Sequence, residues 1–153
     1  MSEYRYICPN HKFWIDANPK EAFISVQNMT KLAEHLLHRN QPNKAIPLLG
    51  CAFETAEIIF DNRLESPQLT TNLTSLAIML AHAYVSINQV DAAKSLLQRF
   101  KNKMKCAIEC ALDYATKVAF FEHCSNAITE ASIDIMLSDV ISPQEIKKTA
   151  YVH

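Results

Sequence analysis

The sequence predicts an all-α protein, an antiparallel stack of helix hairpins forming one domain over residues 1–153. Three observations predict it. The chain holds a single glycine, Gly50, which is too little for the tight turns that β-hairpins need. Apolar residues make up 49% of its 153 residues, enough for one domain with a real core. They recur at steps of three and four, one helix face at a time, between short stretches carrying Pro, Asn or Asp.

Residues 1–17 read as an aromatic arm. Tyr4, Tyr6, Ile7, Phe13 and Trp14 follow no helical period, and such a segment is expected to pack on the helices or on a second subunit. Phe13 and Trp14 are candidates to fill a groove of the free protein. Within the arm, Cys8-Pro9-Asn10-His11 reads as a turn with a partly buried thiol. Asn18, Pro19 and Glu21 then mark a helix start, with a cap, a first residue of preset φ and a reciprocal cap. Phe23, Val26, Met29, Ala33, Leu36 and Leu37 carry its stripe to about Arg39, and Asn40, Gln41, Pro42 and Asn43 form a turn. A second helix follows through Ile46, Leu49, Ala52, Phe53, Ala56, Ile59 and Phe60. Pro47 falls near its first turn, where a missing N–H does least harm. Gly50 inside a helix costs about 1 kcal/mol against Ala at an exposed position, so a close crossing is expected there.

Ser66 and Pro67 open the third helix, which reads Leu69, Leu73, Leu76, Leu80, Tyr84 and Ile87 along one face. A short turn at Asn88, Gln89 and Val90 leads to a fourth helix from Asp91, carrying Ala92, Ala93, Leu96, Leu97 and Phe100. A break is expected between Lys101 and Cys106. Ile108, Ala111, Leu112, Ala115, Val118 and Ala119 make a fifth stripe, His123 to Asn126 reads as the next turn, and Ile128, Ala131, Ile135 and Met136 mark a sixth helix. Ser142, Pro143 and Glu145 open a short last helix, a lid for the end of the stack.

The hairpin at residues 69–100 resembles a tetratricopeptide repeat. That family sets a small residue in its first helix, a Tyr three later, an Ala twelve after the small residue and a large apolar residue four further on. Ala81, Tyr84, Ala93 and Leu97 match those positions. Asn88 and Val90 stand where the family has a turn Gly and an aromatic. The register fits upstream at Ala33, Leu36, Ala45, Leu49 and Ala52, and downstream at Ala115, Val118, Ala127 and Ala131. Ala93 to Ala127 is 34 residues, the family period, whereas Ala45 to Ala93 is 48. The resemblance implies about three divergent pairs, with the first helix of each lining a concave groove. Carried onto this chain, the groove residues are Gln27, Thr30, Glu34 and Leu37, then Ser75, Ile78, Met79, His82 and Val85, then Leu112, Thr116 and Ala119.

Net charge is −1, so no global field favours nucleic acid. Arg99, Lys101, Lys103 and Lys105 read as a solvated helix end, and Glu34, Glu54 and Glu57 as solvated faces. No signal peptide or membrane span is apparent, and five cysteines within helical patterns fit reduced thiols in a cytoplasm. The expected function is non-catalytic, without a cofactor. It is the binding of a peptide or helix of another protein by an adaptor, chaperone or regulator, with a second copy of the chain as a further candidate partner. The alternative is a metal-binding or histidine-phosphotransfer bundle. Cys106, Cys110, His123 and Cys124, with Cys8 and His11, are the residues a zinc site would draw on, although no tight C-x2-C pair occurs. His82 sits mid-helix but lacks the nearby Lys that would steady a phosphoryl group.

Overall fold

A computed structural model describes residues 4–62 and 66–140, with side chains to residue 137. Among them residues 4–8 form a non-helical amino-terminal segment, and the rest is helical outside its turns: α1 (Pro9–Ala17), α2 (Pro19–His38), α3 (Pro42–Asp61), α4 (Pro67–Ser86), α5 (Val90–Cys110) and α6 (Ala115–Val140). Each of α2 to α5 packs on the next helix in sequence; α4 also meets α6, and α1 lies on α3 and α2.

The two hairpins, α2–α3 and α4–α5, are turned by the same device. Asn40 and Asn88 take left-handed φ values of 59° and 64°, a conformation that Asn tolerates and glycine usually supplies. At the first turn the N–H of Asn40 reaches the carbonyl of Leu37 and that of Gln41 reaches Leu36. At the second the N–H of Asn88 reaches Val85 and that of Gln89 reaches Tyr84. Both turns thus close the last carbonyls of the preceding helix. Ala33, Ala45, Ala81 and Ala93, the small residues flanking these turns, are fully buried. Leu69, Leu73, Leu76, Ala77 and Leu80 make α4 the centre of the core.

Several sequence expectations are corrected. The carboxyl-terminal part of the arm is a helix, α1, whose amino end is capped by Cys8: its Sγ accepts from the N–H of His11 at 3.4 Å. Phe13 is 76% and Trp14 40% exposed, so neither fills a groove. Asn18 does not cap α2 with its side chain, which donates to the carbonyl of Trp14 instead. Helix α3 begins at Pro42, which leaves Pro47 inside it. The break expected between Lys101 and Cys106 is absent, because Ala93, Leu97, Phe100, Met104 and Ala111 continue one buried stripe through good helix-forming lysines. The turn lies later, so Leu112 is not helical. The turn expected at His123 to Asn126 is also absent: Phe121, Cys124, Ile128, Ala131 and Ile135 form one buried stripe along α6. Ala115 and Ala127 therefore share a helix, and the third hairpin expected there does not form. The helix expected from Ser142 lies outside the described residues.

A groove between α3, α5 and α6

Glu54 and Glu57 sit one turn apart on α3 and are 3% and 1% exposed, so they are not the solvated faces expected of them. A buried carboxylate needs partners, and the fold supplies them from far along the chain. Arg99 of α5 clasps Glu57 with two N–H groups, Nε at 2.9 Å from Oε2 and Nη2 on Oε1. Lys103 lies 3.7 Å from the same carboxylate and pairs with Asp61. Both Arg99–Glu57 and Lys103–Asp61 span 42 residues. Two successive turns of α5 therefore match two successive turns of α3 in the same order, so the helices run parallel. The basic run splits accordingly: Arg99 and Lys103 face α3, while Lys101 and Lys105 face water. Burial is the largest influence on Glu57 and holds its carboxyl above the usual range, with Arg99 and then Lys103 pulling the other way. Burial likewise raises Glu54, opposed by the backbone N–H groups of Tyr6 and Arg5.

The chain's own amino-terminal segment occupies one half of the space between these two helices. The N–H of Tyr6 donates to both oxygens of Glu54, at 2.6 and 2.9 Å, and its hydroxyl bonds to that of Tyr84 on α4. Its ring rests on Gly50: a Cβ there would stand 2.7 Å from the ring Cγ. Gly50 is required by this ring rather than by a crossing helix. Arg5 lies over the rings of Tyr6 and Tyr84, at 5.6 and 5.8 Å, and Arg99 lies 5.6 Å from the centre of the Tyr4 ring. Burial and the hydroxyl of Tyr6 push the Tyr84 phenol up from its ordinary value.

Beyond Arg99 the groove opens into a cavity of about 880 Å³ bounded by α3, α5 and α6. Phe60, Phe121 and Tyr114 give it aromatic walls, Ala107 and Ala111 give it room, and Lys103 and Lys117 stand at it as cations. Phe60 and Phe121 meet edge to face, 6.4 Å between ring centres. Lys117 sits 5.4 Å from the centre of the Tyr114 ring.

The twelve groove residues expected from the sequence are not brought onto one face. Gln27, Thr30, Glu34, Ser75 and Met79 do meet, in a polar hollow of about 380 Å³ between α2 and α4 that Lys31, Gln68 and Asn72 complete. Leu37, Ile78 and Val85 are half-buried against the core, and His82 is exposed on α4. Leu112 lies exposed in the turn before α6, and Thr116 and Ala119 are exposed on its first turns. The candidate zinc ligands are dispersed: Cys8 and His11 are on or beside α1, Cys106 and Cys110 on the exposed side of α5, His123 exposed and Cys124 buried on α6. Among the described residues no three His, Cys, Asp or Glu side chains group closely enough to hold a metal ion, and no helix is long and apolar enough to cross a membrane. The residues that build the α3–α5 groove, Glu54, Glu57, Arg99 and Lys103, escape sequence reasoning. The available signal is an acid pair at i, i+3 inside an otherwise apolar helix.

Compared with known proteins, the chain matches no protein-family model, no curated protein and no solved structure.

Proposed function

We propose that this chain is a non-catalytic interaction module of the cytoplasm that holds a segment of another protein in the groove between α3 and α5, at the open end that α6 bounds. One observation carries the reading: the groove already holds polypeptide. Tyr4–Ile7 lies in it as a bound peptide would, its main chain on a buried carboxylate and one ring in a slot shaped by Gly50, and the groove then continues as an open cavity. An adaptor, chaperone or regulator uses such a surface. The pairing of α2 with α3 and of α4 with α5 is in line with the resemblance to tetratricopeptide repeats; the Asn turns depart from that family's turn, and the groove lies on the second helices of the pairs rather than the first. Free thiols at Cys8, Cys106 and Cys110, all exposed, support a reducing compartment.

The test is photo-crosslinking in the native cell. A benzophenone side chain placed at Tyr114 or at Lys117, both exposed at the cavity, is expected to capture the same protein. One placed at Ile24, exposed on α2 away from either hollow, is expected to capture none. Absence of any adduct from both cavity positions overturns the reading.

A further inference from the structure

We infer that the open half of the groove binds an extended peptide segment that combines aromatic with acidic side chains. The inference rests on the reading of the groove as a protein-binding site and names the chemistry of the partner. Its first support is continuity. Tyr6 lies level with Gly50 and Glu54, and Tyr4 lies level with Arg99, which itself grips Glu57. The line from Tyr6 to Tyr4 therefore points along α3 toward Glu57 and Asp61, and Arg99 belongs to both halves of the groove. A segment entering the cavity lies on the same track, between the same two parallel helices.

The walls select the side chains. Phe60, Phe121 and Tyr114 face a space widened by Ala107 and Ala111, large enough for more than one side chain. Flat rings fill such a space with edge and face contacts. Charge selects the rest. Of the five charged groups at the cavity among the described residues, Glu57 is 1% exposed and taken by Arg99 and Lys103, and Asp61 is taken by Lys103. Lys117 rests on an aromatic ring and has no ion pair among the described residues. Among the described residues three cations thus stand against two carboxylates, and Arg99 and Lys103 are engaged with those two. An incoming carboxylate finds Lys117, which has no ion pair among the described residues, whereas an incoming cation finds only acids already paired.

Selection of the full chain against a random peptide library tests this. The expected result is enrichment of peptides carrying both aromatic and acidic residues. A synthetic peptide of the enriched sequence, followed by fluorescence anisotropy, is expected to lose about tenfold or more in affinity with Lys117→Glu. It is expected to lose binding with Ala107→Trp, which fills the cavity, and to be unaffected by Lys31→Glu in the α2–α4 hollow. Lys117 is exposed, so its replacement leaves the fold intact even if Ala107→Trp does not. Enrichment of basic peptides, or of acidic ones indifferent to Lys117→Glu, overturns the inference. Loss of binding through Lys31→Glu instead overturns it while leaving the interaction-module reading standing. No enrichment also overturns it, and crosslinking from Tyr114 then judges the module reading on its own.

Discussion

Glu57 and Arg99 are unequal partners. The carboxylate is 1% exposed while the Arg99 side chain keeps about a third of its surface, 35%, in water. Removing the arginine leaves a buried charge with Lys103, 3.7 Å away, and without its two hydrogen bonds from Arg99; neutralising the glutamate leaves a cation that water still reaches. Arg99→Ala is therefore expected to destabilise the protein by about 3 kcal/mol, near the lower end for a broken buried pair. Glu57→Gln, which keeps an oxygen for the guanidinium, is expected to cost about 1 kcal/mol. Denaturant melts of the two variants check the order, and equal losses would mean that Glu57 is not desolvated. The same residues set a pH dependence. Burial holds the carboxyls of Glu54 and Glu57 above the ordinary glutamate value of 4.5. An acid whose folded pKa is raised takes up its proton more readily in the folded state. Its contribution to stability is complete below the ordinary value and is lost as pH rises through the raised one. The melting temperature is accordingly expected to rise as pH falls from neutral toward 4.5, more steeply in Arg99→Ala and less so in Glu57→Gln. Asp16, held below its usual range first by Asn62, opposes this only at lower pH.

At the scale of the element, α3 departs furthest from local preference. It carries Pro47 and Gly50 in its interior, yet Ala52 to Ile59 are all buried. Helix propensity alone favours Gly50→Ala by about 1 kcal/mol. The Tyr6 ring reverses the sign, because the new methyl falls on it. Gly50→Ala is expected to cost about 1–3 kcal/mol in the native chain and to become neutral or stabilising in a Tyr6→Ala background. A double-mutant cycle reads the coupling directly; additive effects would remove the ring from that slot. The hairpins depend on small residues in another way. Ala81 and Ala93 are fully buried on facing helices beside the Asn88 turn. Ala81→Leu or Ala93→Leu is expected to overpack that site at a cost of about 1–3 kcal/mol in denaturant melts.

For the whole molecule, what could be read from the sequence follows how far each determinant acts along the chain. The hairpins at residues 19–61 and 67–110 are legible because their apolar stripes, prolines and Asn turns act within a few residues. Helix ends that depend on weak local signals are misplaced: nothing between Lys101 and Cys106, or between His123 and Asn126, breaks a helix, and continuous buried stripes run through both. The groove is illegible for a different reason. Whether Glu54 and Glu57 face water depends on Tyr6, 48 residues before Glu54, and on Arg99, 42 residues after Glu57. Of the expected groove residues, Gln27, Thr30, Glu34, Ser75 and Met79 share a hollow on the first helices of the pairs, where the resemblance directs attention, whereas the larger cavity uses the second helices and α6. The amino-terminal segment gives the last prediction. It touches Gly50 and Glu54 on α3, Tyr84 on α4 and Arg99 on α5, and so joins the first hairpin to the second. Deleting residues 1–7 leaves the Glu54 carboxylate without the N–H groups of Tyr6 and Arg5. It also removes the bracing between α3 and α5, where side chains rather than packed backbones meet. Amide exchange is then expected to accelerate in α3 and α5 and to change less in α6, which packs on α4 and α5 and supplies none of the segment's anchors. Unchanged exchange in α3 and α5 would show that the segment lies in the groove without stabilising it.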